Sequence, residues 1–292
     1  ALGYFKKAHA LAEEMGNKSE LATMTQSIGT IFFYQGDMEK ALENYRKSLG
    51  YKKKLNDNIA IGNAYNNIAM VHYYMSNYDK ALENHFSALD IFKLENHGAG
   101  VAHCYFGIAS IYNKTSTYNK ALEHYNNALE VYGRLGNKKR MANVLNSMGI
   151  VYKALENFDK AIEHQKKSLE IKREIGNKKG IAASLNGLGI SYKKTGRHDL
   201  ALKHYKEALS IQEEINDKVG AGSTYSNIGM LLTSMGKASE AIPYFEKASG
   251  YAKESNYTEL MINNLEGFSE AYQQTGDHEK ALFYYKQFKT LQ

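Results

Sequence analysis

Between Gly176 and Asn216, apolar residues recur every three to four positions in two runs, from about Gly180 to Thr195 and from about His198 to Glu214. That period predicts two amphipathic helices of about four to five turns each. Gly196-Arg197 separates them, and Gly176-Asn177 and Asn216-Asp217 close the two ends. The same pattern returns 40 residues earlier and 40 residues later, so the chain is a repeat array and is read by column. A single array over 1–292 is expected, with full units at about 17–56, 57–96, 97–136, 137–176, 177–216, 217–256 and 257–292. Residues 1–16 match the second helix of a truncated unit, which predicts that the chain is part of a longer one. Inside each unit the turn is a small or polar pair such as Gly36-Asp37 or Ser76-Asn77, suited to the left-handed backbone that ends a helix. So short a connection makes the two helices antiparallel. The stretch between units, as in Gly136-Asn137-Lys138-Lys139, reads as a longer punctuation.

Three columns predict how the hairpins pack. Ala41, Ala81, Ala121, Ala161, Ala201, Ala241 and Ala281 occupy one second-helix position, which marks close helix approach. In the first helix, Gly29, Ala69, Ala109, Gly149, Gly189, Gly229 and Ser269 are equally small. Glycine inside a helix costs about 1 kcal/mol relative to alanine, so its recurrence implies a steric need. Ile28, Ile68, Ile108, Met148, Leu188, Ile228 and Phe268 precede them, and aromatics follow at Phe32, Tyr112, Tyr152, Tyr192 and Tyr272.

The order hydrophobic, small, two variable positions, aromatic, a Gly turn, then Ala, an aromatic four later and a small residue three after that resembles the tetratricopeptide repeat. Gly189, Tyr192, Gly196, Ala201, Tyr205 and Ala208 carry it in the fifth unit. The 40-residue form is similar to the repeats of LGN-like polarity adaptors and of bacterial sensor kinases, cyclases and peptide-responsive regulators. The resemblance implies an all-α fold, an α-α superhelix of antiparallel hairpins, with first helices lining a concave groove that binds a protein or peptide segment. Two readings follow: a scaffold or sensor module, or the peptide-sensing domain of a larger signalling protein.

Composition narrows this picture. Hydrophobic residues make up 43% of the chain, enough for a continuous core, and a single proline suits a chain that is almost wholly helical. No apolar run approaches the length of a membrane span. The net charge of +6 is spread through interleaved Lys and Glu, which argues against nucleic acid as a partner. A lone cysteine, Cys104, excludes an internal disulfide and fits a reducing, cytoplasmic setting. There is no phosphate-cradling glycine loop, no His-Glu-x-x-His and no paired-carboxylate site, so neither catalysis nor a cofactor is expected.

Candidate ligand contacts lie on the first helices opposite the core columns. Asn66, Phe106, Asn146 and Asn186 share one column, and Asn63, His103 and Asn143 lie one turn earlier; Asn227 joins the same face. An amide presents both donors and an acceptor, which suits pairing with an extended peptide backbone. A chain that uses asparagine freely in its loops as well would give the same count without a binding face. Farther along these helices Tyr73, beside Tyr74, is aromatic, and Lys153 and Lys193 are basic, which suggests a partner with acidic groups. Lysines at helix C-termini are equally explained by the helix dipole. His124, His164 and His204 fall in one second-helix column, too far apart for one metal and better read as a partly packed ladder. His72 and His85 replace core residues and read as packed. The last helix keeps Leu282, Phe283, Tyr285 and Phe288, an apolar face for a continuing chain or another molecule, a second copy included.

Overall fold

A computed structural model describes residues 2–292, which form two compact units, Ala1–Ser147 and Met148–Gln292. Unit 1 contains α1 (Leu2–Glu14), α2 (Lys18–Tyr34), α3 (Met38–Lys54), α4 (Asn58–Tyr74), α5 (Tyr78–Leu94), α6 (Gly98–Lys114) and α7 (Tyr118–Arg134). The boundary falls within α8 (Lys138–Ala154). Unit 2 continues with α9 (Phe158–Glu174), α10 (Lys178–Lys194), α11 (His198–Glu214), α12 (Lys218–Ser234), α13 (Ala238–Ser255), α14 (Thr258–Thr275) and α15 (His278–Leu291). No strand occurs among the described residues. The fold is all-α, built of antiparallel hairpins.

Helices begin at Lys18, Met38, Asn58 and so on every 20 residues to His278, half the sequence period. This corrects the expectation of a longer connection between units. Both kinds of turn put one residue at positive φ and follow it with an N-cap. Within a hairpin these are Gly36 (φ 82°) and Asp37, whose Oδ1 accepts from the Lys40 amide at 3.1 Å. Between hairpins they are Asn56 (φ 53°) and Asp57, which accepts from the Ala60 amide at 2.9 Å. The two lysines after Gly136-Asn137 are therefore helical, because the cap satisfies an amide that the helix leaves open. His97 caps α6 in the same way, its Nδ1 accepting from the Gly100 amide at 3.1 Å.

The small columns are steric. Ala41, Ala81, Ala121, Ala161, Ala201 and Ala241 are wholly buried, and Ala281 nearly so. A Cβ added at Gly229 would stand 2.7 Å from the Phe245 ring, and one at Gly149 would stand 2.9 Å from Gln165. The second helix thus sends a large side chain against the bare backbone of the first, four residues after each alanine. Enlarging the alanine column should overpack this contact: Ala161→Leu is expected to cost about 1–3 kcal/mol. An unchanged urea midpoint would show the column to be loosely packed.

First helices of successive hairpins also touch one another, α4 with α6 in unit 1, and α10 with α12 and α12 with α14 in unit 2. That contact aligns their outward sides into a face. At the end of unit 2 the apolar face of α15 divides: Phe288 is buried, whereas Leu282, Phe283 and Tyr285 remain exposed.

Candidate functional site

In unit 1, α4 and α6 lie side by side and both pack on α5. They line an open cavity of about 240 Å³. Four of the expected contact residues, Asn66, Tyr73, His103 and Phe106, line it. Asn63 is exposed on α4 but is not part of its wall. On α8, Asn143 is exposed and Asn146 half-buried, and neither reaches the cavity.

The cavity exists because two side chains are small. His85 stands where the neighbouring hairpins place Tyr45 and Tyr125, and Gly107 stands where Ser27 and Ser147 fall in their units. A Cβ at Gly107 would lie 2.5 Å from His85 Cε1. Asn66 is buried, and its Oδ1 accepts from His85 Nδ1 at 2.9 Å and from Cys104 Sγ at 3.3 Å. Its oxygen is thus engaged inside the fold, and Asn66 forms cavity floor where the column predicts an open amide.

Cysteine, histidine and asparagine meet here without the chemistry that this trio can perform elsewhere. Burial pushes the Cys104 thiol up to about 12, so it stays protonated and serves as the donor to Asn66. Burial, with the nearby His103 as a second cause, pushes His85 down to about 3. The neutral ring carries its proton on Nδ1, because that nitrogen faces a carbonyl oxygen. The thiol donates to an amide oxygen rather than to a base, and its nucleophilic form is absent at neutral pH.

Beyond the cavity mouth the aromatic residues form a ladder. Phe33 packs edge-on against Tyr74 at 5.1 Å between ring centres, and Tyr74 against Tyr73 at 5.6 Å. Tyr74 is 61% exposed, so the ladder presents apolar surface outward at the end of α2 and α4.

In unit 2 the corresponding face is polar. Asn227 Nδ2 on α12 donates to Asn186 Oδ1 on α10 at 2.9 Å. The two amides bridge adjacent first helices, one residue out of the column that placed Asn186 opposite Ser226. Beneath α10, Ser191 donates to Gln165 Oε1 at 2.9 Å, a buried pair that column reading missed because Gln165 sits among aromatics. Its signal was that very break in the column. Lys153 and Lys193 are half-buried, and among the described residues neither makes an ion pair. Desolvation lowers both ammonium groups, with Lys194 as a second cause at Lys193 and Glu270 opposing it. Other lysines of this unit are paired, Lys178 with Glu214 at 2.5 Å and Lys218 with Glu254 at 2.8 Å.

The histidine column is packed. Tyr112 stacks on His124 at 5.6 Å, and Tyr192 on His204 at 5.3 Å. His72 and His85 are buried, as their core columns require. Among the described residues no three potential ligands gather around a metal position, and no helix is long and apolar enough to cross a membrane.

Models of the tetratricopeptide repeat match residues 60–134, 140–214 and 220–288, and another matches 23–55. The chain belongs to the tetratricopeptide repeat family. No curated protein matches it in sequence. Similar solved structures include a signal-transduction ATPase with a tetratricopeptide repeat sensor from Pyrococcus horikoshii, at TM-score 0.79 and 16% identity over 94% of this chain and 42% of that one. The apo form of the quorum sensor NprR from B. thuringiensis has TM-score 0.74 at 16% identity, covering 99% and 82%. A Rap protein complexed with competence and sporulation factor has TM-score 0.63 at 20% identity, covering 99% and 84%. At these identities the likeness is one of fold. Within this tetratricopeptide array the alanine and glycine columns are common property, whereas His85, Gly107, Gln165 and the unpaired lysines are local.

Proposed function

We propose that the chain is a non-catalytic module that binds a protein or peptide segment, extended across the outward face of its first helices, as a scaffold or sensor. The observation that carries this is the pair Lys153 and Lys193: half-buried cations at the same repeat position of α8 and α10, with no ion pair among the described residues. A partly desolvated, unpaired ammonium is unfavourable alone and is relieved by an incoming carboxylate. Acidic groups on the segment would meet these two lysines, and the bridged amides of Asn186 and Asn227 would meet its backbone. Asn63, Asn143 and Asn146 offer further amides on α4 and α8. Support also comes from proteins of this fold that include a quorum sensor and a Rap protein solved with a signalling factor. The buried, protonated thiol of Cys104, held by Asn66, fits a binding role and a reducing, cytoplasmic setting. The exposed Leu282 and Phe283 of α15 are candidates for contact with a second copy, which sedimentation at rising concentration would reveal.

Selection from a random peptide library on the immobilised chain tests this reading. Enriched peptides should carry Asp or Glu, and their affinity should fall as salt rises from 50 to about 500 mM. The pair Lys153→Gln and Lys193→Gln should weaken them about tenfold with little change in unfolding midpoint. Salt-independent binding would remove the carboxylate element, and failure to select any peptide would remove the binding role.

A further inference from the structure

We propose that the cavity between α4 and α6 is an anchor pocket for one uncharged aromatic side chain that carries a hydrogen-bond donor, a tyrosine or tryptophan of the bound segment. This rests on the peptide-binding reading and deepens it, because it assigns a residue type to one position of the ligand.

Size comes first. The cavity, about 240 Å³, is below the roughly 300–1,000 Å³ of sites for drug-sized molecules and is suited to a single large side chain. Its walls are mainly apolar and aromatic, with His103 and Ser110 as polar members: Met70 contributes a polarizable thioether, and Tyr73 and Phe106 contribute rings. A planar ring fits these partners through edge, face and sulfur contacts. Charge comes second. No Asp, Glu, Lys or Arg lines the cavity, so a charged side chain would be buried without a counter-ion, at high cost.

The floor supplies the specificity. His85 Nδ1 is committed to Asn66, which leaves Nε2 as the acceptor of a neutral ring. Nε2 has no hydrogen-bond partner among the described residues, and the ring that carries it packs on the bare backbone of Gly107 and lines the cavity. Asn66 and Cys104 hold the ring in place from behind. An unpartnered acceptor at the floor of a mainly aromatic space selects for an occupant with an apolar body and a donor at its tip. A tyrosine hydroxyl or an indole N–H meets that demand, and phenylalanine fills the space but leaves Nε2 unpaired.

The array itself suggests how to close the pocket. His85→Tyr with Gly107→Ser installs the pair that Tyr125 and Ser147 form one unit later. The full chain and this variant would be titrated with N-acetyl-tyrosine amide, N-acetyl-phenylalanine amide and N-acetyl-glutamate amide. The Met70 methyl and His85 ring resonances report binding. Tyrosine amide is expected to bind about three- to tenfold more tightly than phenylalanine amide, the range of one neutral hydrogen bond. Glutamate amide should not bind, and the filled variant should lose tyrosine amide. Tyr73→Ala gives a second arm independent of the floor: a half-buried wall is removed, and tyrosine amide should weaken at least fivefold at an unchanged unfolding midpoint. Equal binding of all three amides, or unweakened tyrosine binding in either variant, would overturn the pocket. Library selection on the filled variant separates this from the wider reading. Peptides that still enrich, without a Tyr or Trp preference in either protein, leave peptide binding standing and remove the anchor.

Discussion

Replacing Phe245 by alanine is expected to lower stability by about 3–5 kcal/mol, the range for deleting a fully buried phenylalanine. Phe245 is wholly buried, and its ring lies against the backbone of two successive first helices, at Gly229 of α12 and Gly267 of α14. It also meets Phe268 at 5.5 Å between ring centres. At Gly229 and Gly267 the two helix backbones facing the ring have no side chain to reorient into the space. The same column ends in Tyr285, which is 48% exposed, so Tyr285→Ala should change stability by less than about 0.5 kcal/mol. Urea unfolding followed by circular dichroism would compare the two. Equal shifts would mean that the column does not join successive hairpins in unit 2.

Acid should loosen unit 1 through His85. In the unfolded chain its imidazole takes up a proton as pH falls through the ordinary value of 6.5, whereas the folded ring resists until about 3. The unfolded state therefore binds more protons in that window, and stability, complete above 6.5, is lost progressively as pH drops through it. Going from pH 7 to about pH 4.5 should cost about 2.5 kcal/mol from this residue alone. Burial also depresses His72, His124 and His204, which act in the same direction. His85→Gln, the residue that Gln165 brings to this column, should recover most of the difference between urea midpoints at the two pH values. An equal acid loss in that variant would assign the effect to the other histidines.

Much of the fold was legible before any coordinates. The invariant alanines, the recurrent glycines and the apolar period report local sterics that every unit must satisfy, so they repeat in the sequence as they do in space. Turn geometry was half legible. Gly36 and Gly196 announce positive φ, but Ser116 and Glu156 adopt it too (57° and 56°), because their place in the 20-residue helix spacing demands it. The site was less legible. Columns placed Asn66, Phe106, Asn146 and Asn186 on one line, yet burial separates them: Asn66 is committed beneath the surface and Asn186 is tied to Asn227.

His85 shows why. As a letter in a column it is a polar residue among aromatics, read as packed, and it is packed. What it does depends on residues 19 and 22 positions away: Asn66, which takes its proton-bearing nitrogen, and Gly107, whose bare backbone makes room for the ring at the cavity wall. The helices, their pairing and the family can be read from the chain alone, because they follow from periodic contacts between neighbours along it. Which polar groups the fold consumes and which remain to meet a ligand is settled in three dimensions, because it depends on burial and on side chains brought together from different hairpins.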